Sequence, residues 1–329
     1  MRAARFGLLV RTLCWALLWL AAGLTGPAPA GAAFKAVRPY PYQDSVVLHP
    51  YDAEDNTAAL LEKLRPRYHQ TAKFEFSVWN NPGRGGVTAW TELTLQETDG
   101  YTLALTELTS LVLQTLKTHP PFKLDDFSNV CLLASAPLVL WAPAESPLTS
   151  FYDIVDQARV TPGGPTIAGI GSGGSHHLTS LRLDRQSGIK TAYRPYTGVQ
   201  SALQGARDGA ALAFWGYPSR ELLEQGCRPL GITAEKRHPL LPQAPTLLEL
   251  GYDILETSYF GLAMSSQVTS TTSRSAADIY LSLANDREFQ AEITALGFDP
   301  APLDAPNLAV YLQQLTEYYR PLKEDYALP

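Results

Sequence analysis

The sequence predicts an α/β protein of two domains. Strand and helix patterns alternate along the chain in two successive runs, and this order is typical of parallel sheets with helical crossovers. Apolar residues make up 45% and charged residues 18% of the 329 residues, which is the composition of a globular protein. Because a chain of this length exceeds one ordinary core, two domains are expected.

The first run predicts a parallel sheet, because its elements follow the order strand, helix, strand, helix, strand. Leu60, Leu61 and Leu64 fall on one face of its first helix. Asn80-Asn81-Pro82-Gly83 closes the second strand, and the Asp99-Gly100 turn precedes the third. The predicted strands are 44–48, 74–79 and 102–106, and the predicted helices are 56–68 and 87–97.

A second run of the same kind begins near Val130. Its predicted strands are 166–168, 190–194 and 211–214, its helices are 175–186 and 199–206, and two further strands follow at 229–233 and 259–263. The C-terminal part is predicted to be helical over about 272–297 and 306–326, with Leu308, Leu312, Leu315 and Tyr319 at core spacing.

Residues 1–32 have the parts of a secretory signal peptide. Arg2, Arg5 and Arg11 supply positive charge, the apolar run at 13–24 is short for a membrane anchor, and small residues follow it. We therefore expect an exported, periplasmic protein. Removing three arginines and no acid takes the formal charge from −6 to −9, which argues against nucleic acid as a partner.

Two cysteines, Cys131 and Cys227, remain after cleavage of the signal peptide. Export places them in a compartment that permits disulfides. A bond between them would close a long loop and contribute about 4 kcal/mol in the chain-entropy treatment. Two buried free thiols are the alternative.

The segment TIAGIGSGGSHHL at 166–178 is the strongest candidate for a ligand site. Gly169, Gly171 and Gly174 match the G-x-G-x-x-G of dinucleotide loops. The acidic residue expected at the end of the next strand is absent, since Arg194-Pro195-Tyr196 stands there. Exposed amide N–H groups at the start of a helix favour a small anion instead, and we expect no cofactor.

An exported serine hydrolase is the competing class of function. Neither Ser172 nor Ser175 lies in G-x-S-x-G, although His49, His176 or His177 could meet a serine in space. His176 and His177 are adjacent and diverge by about 100° on a helix, so only one could face a metal ion. We expect neither a metal site nor catalysis.

A second glycine-rich stretch, Gly83-Arg84-Gly85-Gly86, lacks the Lys-Ser or Lys-Thr that completes a P-loop. The stretch is therefore interpreted as a tight turn that leads into a helix.

Five segments together resemble the substrate-binding proteins of tripartite tricarboxylate transporters, the Bug-type periplasmic receptors. They span nearly the whole mature chain, and PTLLELGY within the last of them is the most specific part. The segments are NNPGRGG (80–86), DGYTL (99–103), AGIGSGGSHHL (168–178), RPYTG (194–198) and RPLGITAEKRHPLLPQAPTLLELGY (228–252).

This resemblance implies a two-lobed periplasmic-binding-protein-like (Venus flytrap) fold, in which each lobe is a sheet flanked by helices and the ligand cleft lies between them. Lobe 1 would comprise 33–130 and 230–329, and lobe 2 would comprise 131–229. The implied function is a non-catalytic, monomeric receptor for a small organic acid or a related carboxylate, amide or amine metabolite. Its implied partners are the permease subunits of a tripartite transporter, or a sensor.

In this family, one loop from each lobe typically pinches a carboxylate with main-chain N–H groups and hydroxyls. The resemblance therefore implies a set of ligand-binding residues from both lobes. They are Tyr51, Glu54, Asp55 and Asn56 in lobe 1, and Gly171, Ser172, Gly173, Gly174, Ser175, His176, Tyr196, Thr197, Gly198 and Trp215 in lobe 2.

The first of these loops departs from the family pattern. Glu54 and Asp55 stand where the family has paired glycines, and Ala58 stands where it has an aspartate. Two carboxylates would repel a bound carboxylate by roughly 1 to 4 kcal/mol each at about 4 Å. Either Asp55 or Asn56 caps the helix, or these acids meet a ligand nitrogen, or the receptor binds its ligand poorly.

Trp215 is a second departure, because the family commonly has a polar pair in this strand. It stands at the C-terminal end of the strand, where ligands bind in open α/β sheets. It is either a core residue or, with Tyr51 and Tyr196, a platform for a flat ligand. A cleft filled by Tyr51 and Trp215 would instead indicate an adaptor or sensor with a degenerate pocket.

Overall fold

The computed structural model describes residues 39–116 and 120–326. The predicted signal peptide at 1–32 lies outside the described residues. Residues from Tyr40 onward belong to one compact unit. Within the described ranges, no helix combines the length and the apolar character that a membrane crossing requires.

Strands and helices alternate along most of the described chain. In chain order its elements are β1 (Ser45–His49), α1 (Asn56–Ala72), β2 (Phe76–Asn80), α2 (Val87–Leu95), β3 (Thr102–Glu107), α3 (Leu108–Leu116), β4 (Phe127–Pro137), β5 (Val139–Ala142), α4 (Phe151–Val160), β6 (Thr166–Ile170), α5 (Ser175–Ser187), β7 (Ala192–Tyr196), α6 (Val199–Arg207), β8 (Ala213–Gly216), α7 (Arg220–Glu224), β9 (Arg228–Ile232), β10 (Thr257–Ser265), α8 (Ser270–Ala284), α9 (Arg287–Leu296), β11 (Asp299–Asp304) and α10 (Ala305–Asp325).

The first lobe is built on a six-stranded sheet with the order β11-β4-β10-β3-β1-β2. Strand β1 pairs in parallel with both β2 and β3, as the alternating sequence pattern predicts. Strand β10 runs antiparallel between β3 and β4, and β11 runs antiparallel to β4. The sheet is therefore mixed, and only its N-terminal half is parallel.

The second lobe is built on a five-stranded sheet with the order β7-β6-β8-β5-β9. Strand β6 pairs in parallel with β7 and β8, so the carboxyl ends of these strands lie at one edge. Strand β5 runs antiparallel to β8 and β9. Because the helices α5 and α6 follow β6 and β7, their N-termini start from that same edge.

Two chain crossings join the lobes, and hydrogen bonds tie them together. The first crossing is at Leu138, between β4 and β5, and the second lies between β9 and β10. Leu138 N donates to Thr233 Oγ1 at 2.9 Å, and Thr233 Oγ1 in turn donates to the carbonyl oxygen of Glu256 at 2.6 Å. These bonds fix the strands that enter and leave the second lobe relative to each other.

The predicted C-terminal helix over 272–297 is wrong in one respect, because it consists of two helices. Asn285 ends α8, and the Asp286 carboxylate accepts from Phe289 N at 2.8 Å to begin α9. An aspartate in this position satisfies a free N–H group of a new first turn. Elements α3, β4, β5, α4, α7 and β11 were not predicted.

The last helix, α10, packs on both lobes. Its residues Leu308, Leu312, Leu315 and Tyr319 are buried, as their spacing predicts. They share one hydrophobic cluster with Leu108 and Val112 of α3 and with Leu178 of α5.

Candidate ligand site between the lobes

A pocket of about 530 Å³ opens between the two lobes. Its walls come from the segment before α2 and from α3 on one side, and from the loops after β6 and β7 on the other. The residues that line it are Arg84, Val87, Gln114 and Pro120 of the first lobe and Gly171, Ser172, Pro195, Tyr196 and Thr197 of the second.

Backbone contact between the lobes lies beside this pocket. The main chains of Gly85 and Gly171 meet there, so that a Cβ on Gly171 would stand 2.3 Å from the Gly85 Cα. Next to this contact, Gln114 Nε2 donates to the carbonyl oxygen of Ser172 at 2.9 Å. The lobes therefore touch directly beside the pocket.

Arg84 is the cationic residue of the pocket lining. It follows Gly83 with a φ of 50°, a left-handed conformation that is uncommon for a residue with a side chain. Its side chain is exposed, and across residues 39–116 and 120–326 its guanidinium forms no ion pair. An arginine in this state can offer two parallel N–H donors to a carboxylate.

The Asp55 carboxylate connects a helix of each lobe. Its Oδ1 accepts from Thr57 N at 3.1 Å and so caps α1. Its Oδ2 accepts from Val199 N, the first residue of α6 in the second lobe, at 2.9 Å. The capping alternative is therefore confirmed for Asp55, and the same side chain also reaches across the lobe interface.

Asp52 supports this contact from the preceding turn. Its Oδ2 lies 3.4 Å from Ser201 N of α6. A Cβ on Gly198 would stand 2.7 Å from the same oxygen, so the second lobe must have a glycine there for the two loops to approach.

Glu107 forms a second connection of the same kind. Its Oε2 accepts from Ser110 N at 2.8 Å, and its Oε1 accepts from Thr109 N at 3.2 Å, so it caps α3. Ser175, the first residue of α5 in the second lobe, donates to Oε2 through its hydroxyl at 3.3 Å. Ser175 N also donates to Ser110 Oγ at 3.1 Å. Burial raises the pKa of Glu107, and these donors act against that rise.

Aromatic side chains fill the space around the two acids. Tyr51 and Tyr217 are buried, and burial together with the charge of Glu107 holds the pKa of both phenols well above its usual value. His176 is also buried, with Nδ1 accepting from Ile170 N at 3.2 Å and Nε2 lying 3.3 Å from Tyr217 Oη. Burial lowers the pKa of His176 to about 3, so this ring is neutral.

The predicted ligand-binding residues separate into two groups. Those that line the pocket are Gly171, Ser172, Tyr196 and Thr197. Of the others, Glu54 is exposed and Asn56 is half-buried, while those buried instead are Tyr51, Asp55, Gly173, Gly174, Ser175, His176, Gly198 and Trp215. His176 therefore does not line the pocket, because its ring is buried within the second lobe between Ile170 N and Tyr217 Oη.

Trp215 is a core residue of the second lobe. It is fully buried in β8, and its Nε1 donates to Ser180 Oγ of α5 at 2.7 Å. The alternative in which Trp215 forms a platform for a flat ligand is therefore wrong, because no face of the indole is exposed.

The remaining histidine of the glycine-rich segment, His177, has a packing role. Its ring stacks on Tyr193 with the centroids 4.3 Å apart, and its Nδ1 accepts from Gly173 N at 3.1 Å. Within the described ranges, no group of three or more His, Cys, Asp or Glu side chains could hold a metal ion.

Cys131 and Cys227 are buried free thiols. Cys131 lies in β4 of the first sheet, whereas Cys227 directly precedes β9 of the second. The alternative of a disulfide between them is therefore not formed in this structure.

Sequence reasoning missed Arg84, Gln114, Glu107 and Ser110. The interpretation of residues 83–86 as a tight turn before a helix is confirmed for the backbone. It assigned no role to the Arg84 side chain. Glu107 is followed by Thr109 and Ser110, and an acid at a strand end just before a helix is a capping signal that could have been used.

Two α/β lobes that are joined by paired crossings and enclose a pocket define the protein as a solute-binding protein. The sequence then specifies the family, because the family model of the tripartite tricarboxylate transporter family receptor matches residues 69–327. The chain belongs to this family. Its family and fold are those of non-catalytic periplasmic solute-binding proteins.

A curated relative supports this membership. The UPF0065 protein in the gbd 5′ region of Cupriavidus necator is 33% identical over 189 residues, which are 56% of this chain and 57% of that protein. The chain therefore spans little more than half the length of this relative.

Solved structures share the fold at low sequence identity. The periplasmic binding protein BugD superposes with a TM-score of 0.81 at 18% identity, covering 88% of this chain and 99% of that one. Two Rhodopseudomonas palustris proteins are similar at 20% identity and cover 99% of their own chains. MatC with bound malate has a TM-score of 0.77 and covers 86% of this chain, and Rpa4515 with adipate has a TM-score of 0.82 and covers 88%.

Proposed function

We propose that the protein is a periplasmic receptor that binds a small organic acid between its lobes and delivers it to the membrane subunits of a tripartite transporter. The observation that carries this proposal is the exposed Arg84 guanidinium in the wall of an interlobe pocket. Family membership and the malate and adipate bound by structurally similar proteins support an acid as the ligand.

Arg84 would hold the acid end of the solute through paired N–H donors. Thr197 on the facing wall adds a hydroxyl group, and Val87 and Pro195 add apolar surface for the carbon chain. A solute that contacts both walls binds the closed form better than an open one, and this difference shifts the population toward closure.

The proposed lobes follow the two sheets. The crossings at Leu138 and between Ile232 and Thr257 lie beyond the boundaries predicted at 130/131 and 229/230. Export through the signal peptide at 1–32 and a monomeric state remain part of the proposal.

Calorimetric titration with malate and adipate, beside their monocarboxylate counterparts lactate and hexanoate, tests the binding function. We expect at least one of these acids to bind, and Arg84→Gln to weaken that binding by at least about tenfold, because the loss of a charged donor pair to a carboxylate exceeds about 1.4 kcal/mol. The matched control is Arg194→Gln, an exposed arginine on β7 that does not line the pocket.

Two results would contradict the proposal. One is that none of the acids binds and that mass spectrometry of the denatured, freshly purified protein detects no released acid. The other is equal weakening by Arg84→Gln and Arg194→Gln, which would indicate a general charge effect.

A receptor with an altered pocket is the second candidate function. The observation that favours it is the buried set of Tyr51, Asp55 and Glu107 at the lobe interface. A released solute that carries no acid group would support this second function over the first.

A further inference from the structure

The N-termini of α5 and α6 are the two anion-attracting ends that the second lobe presents to the first. Helix N-termini expose free N–H groups and carry a partial positive charge. In this protein both ends are in contact with acidic side chains of the first lobe, namely Glu107 at α5 and Asp55 at α6.

Each of these acids caps a helix of the first lobe and also accepts a hydrogen bond from the first residue of a helix in the second lobe. Asp55 accepts from Thr57 N at 3.1 Å in the first lobe and from Val199 N at 2.9 Å in the second. Glu107 accepts from Ser110 N at 2.8 Å in the first lobe and from the Ser175 hydroxyl at 3.3 Å in the second.

The two acids are also enclosed. Asp55 has 2% and Glu107 has 0% of its surface exposed, so neither helix end is open to a solute from the pocket. Backbone contacts of Gly198 with Asp52 and of Gly174 with Ser110 leave no room for a Cβ between the loops. The glycines of the second lobe thus accommodate side chains of the first.

We propose that Asp55 and Glu107 act as built-in substitutes for solute carboxylates: they hold the lobes closed without a solute and exclude a second acid group from the ends of α5 and α6. They are specificity-determining residues. The specificity role rests on the proposed function, because it requires an acid in the Arg84 pocket. The closure role does not require the proposed function.

Small-angle X-ray scattering of the solute-free protein, unfolded and refolded to remove bound molecules, tests closure directly. We expect the wild type to have the radius of gyration calculated from this structure, in which the lobes are in contact. The double variant Asp55→Ser/Glu107→Gln should have a larger radius. Serine still caps α1 but does not reach Val199, and glutamine presents a donor where Glu107 accepts on both oxygens.

Two further variants make this experiment specific. Val199→Pro removes the donor from the other lobe, and proline is well tolerated at the first position of a helix. The combination of Val199→Pro with Asp55→Ser should increase the radius of gyration no more than either substitution does alone. The control is Asp304→Ser, because Asp304 Oδ1 accepts from Asn307 N within the first lobe. The radius of gyration of this variant should equal that of the wild type.

The proposal is overturned if the solute-free wild type is already expanded, or if the double variant keeps the wild-type radius. Thermal unfolding of each variant shows that it is folded. If the double variant does not fold, Asp55→Ser alone is compared with the wild type by hydrogen exchange, and the Val199 amide should exchange at least about tenfold faster. An unchanged exchange rate would also overturn the proposal.

A pair of acids of equal length tests specificity. Adipate has an acid group at both ends and hexanoate at one, so their affinity ratio reports the second carboxylate. We expect this ratio to shift toward adipate by at least about tenfold in the double variant. If both acids bind and the ratio does not change, the specificity role is wrong. If neither binds, the same ratio is measured for malate and lactate. If none of the four acids binds and no acid is released on denaturation, the proposed function fails, and the scattering result alone decides the role in closure.

Discussion

The main chain of Gly171 lies directly against that of Gly85 in the opposite lobe. A Cβ on Gly171 would stand 2.3 Å from the Gly85 Cα, and a Cβ on Gly85 would stand 3.2 Å from the Gly171 Cα. Both residues have a positive φ, 61° and 66° respectively. The bare backbone of the glycine-rich segment therefore serves the contact between the lobes. The expected exposure of its N–H donors is not found at Ile170, Gly171, Gly173 and Ser175, because these groups donate within the protein.

Replacing Gly171 by alanine should separate the two main chains. We expect Gly171→Ala to lower the free energy of unfolding by about 2 to 4 kcal/mol, because a backbone clash adds to the unfavourable left-handed conformation. Denaturant unfolding measures the loss. The control is Gly188→Ala, since Gly188 has a φ of 66° but nothing within 4 Å of its Cβ position. Equal losses in both variants would show that the clash is relieved at no cost.

The stability of the protein should depend on the protonation of Glu256. This buried carboxyl lies between Arg182 Nη1 of α5, 3.2 Å away, and Tyr319 Oη of α10. Burial raises the pKa of Glu256 to about 7 from its usual 4.5, although Tyr319 and Arg182 act in the opposite direction. Between these two values the folded chain holds a proton that the unfolded chain has released. The stability contributed by this group is therefore fully present below pH 4.5 and is lost as the pH rises through 7.

Glu256→Gln removes this titration. Relative to the wild type, the variant should gain up to about 3 kcal/mol of unfolding free energy between pH 5 and pH 8, because only the wild type must bury a charge at the higher pH. Urea unfolding at both pH values measures the change. The exposed Glu97 provides a matched control through Glu97→Gln. A difference between variant and wild type that is independent of pH would contradict the expectation.

The parallel halves of both sheets could be predicted from the sequence because local periodicity encodes them. Strands β1 and β6 lie beside their predicted parallel neighbours. The antiparallel strands could not be placed, because pairing such as that of β10 with β4 joins segments that are far apart in the chain. The break in the predicted helix 272–297 was readable in principle, since Asn285-Asp286 is a stop and cap signal.

The candidate site was predicted only in part. Gly171, Ser172, Tyr196 and Thr197 line the pocket because the resemblance placed the right loops at the lobe interface. The role of Asp55 could not be derived, since its partner Val199 is 144 residues away in the chain. Arg84 was missed because the neighbouring glycines are enough to explain a turn, so the sequence offered no separate reason to assign a role to the arginine side chain.

Trp215 should matter for stability and not for solute binding. Trp215→Phe removes the hydrogen bond from Nε1 to Ser180 Oγ and leaves that buried hydroxyl beside a cavity without this donor. We expect a loss of about 1 to 3 kcal/mol in the free energy of unfolding and an unchanged affinity for the solute. Thermal unfolding and calorimetry measure the two quantities. A clear loss of affinity with little loss of stability would restore the ligand-platform role.

The two cysteines should be unreactive in the folded protein and reactive once it unfolds. Burial raises the pKa of the Cys227 thiol to about 11 and raises that of Cys131 further still, so the nucleophilic thiolate is scarce at neutral pH. A thiol reagent added to the mature protein without reductant should label both residues in denaturant and neither in buffer. Cys227→Ser should halve the labelling in denaturant. Absence of labelling in the unfolded wild type would show that the disulfide forms in the exported protein.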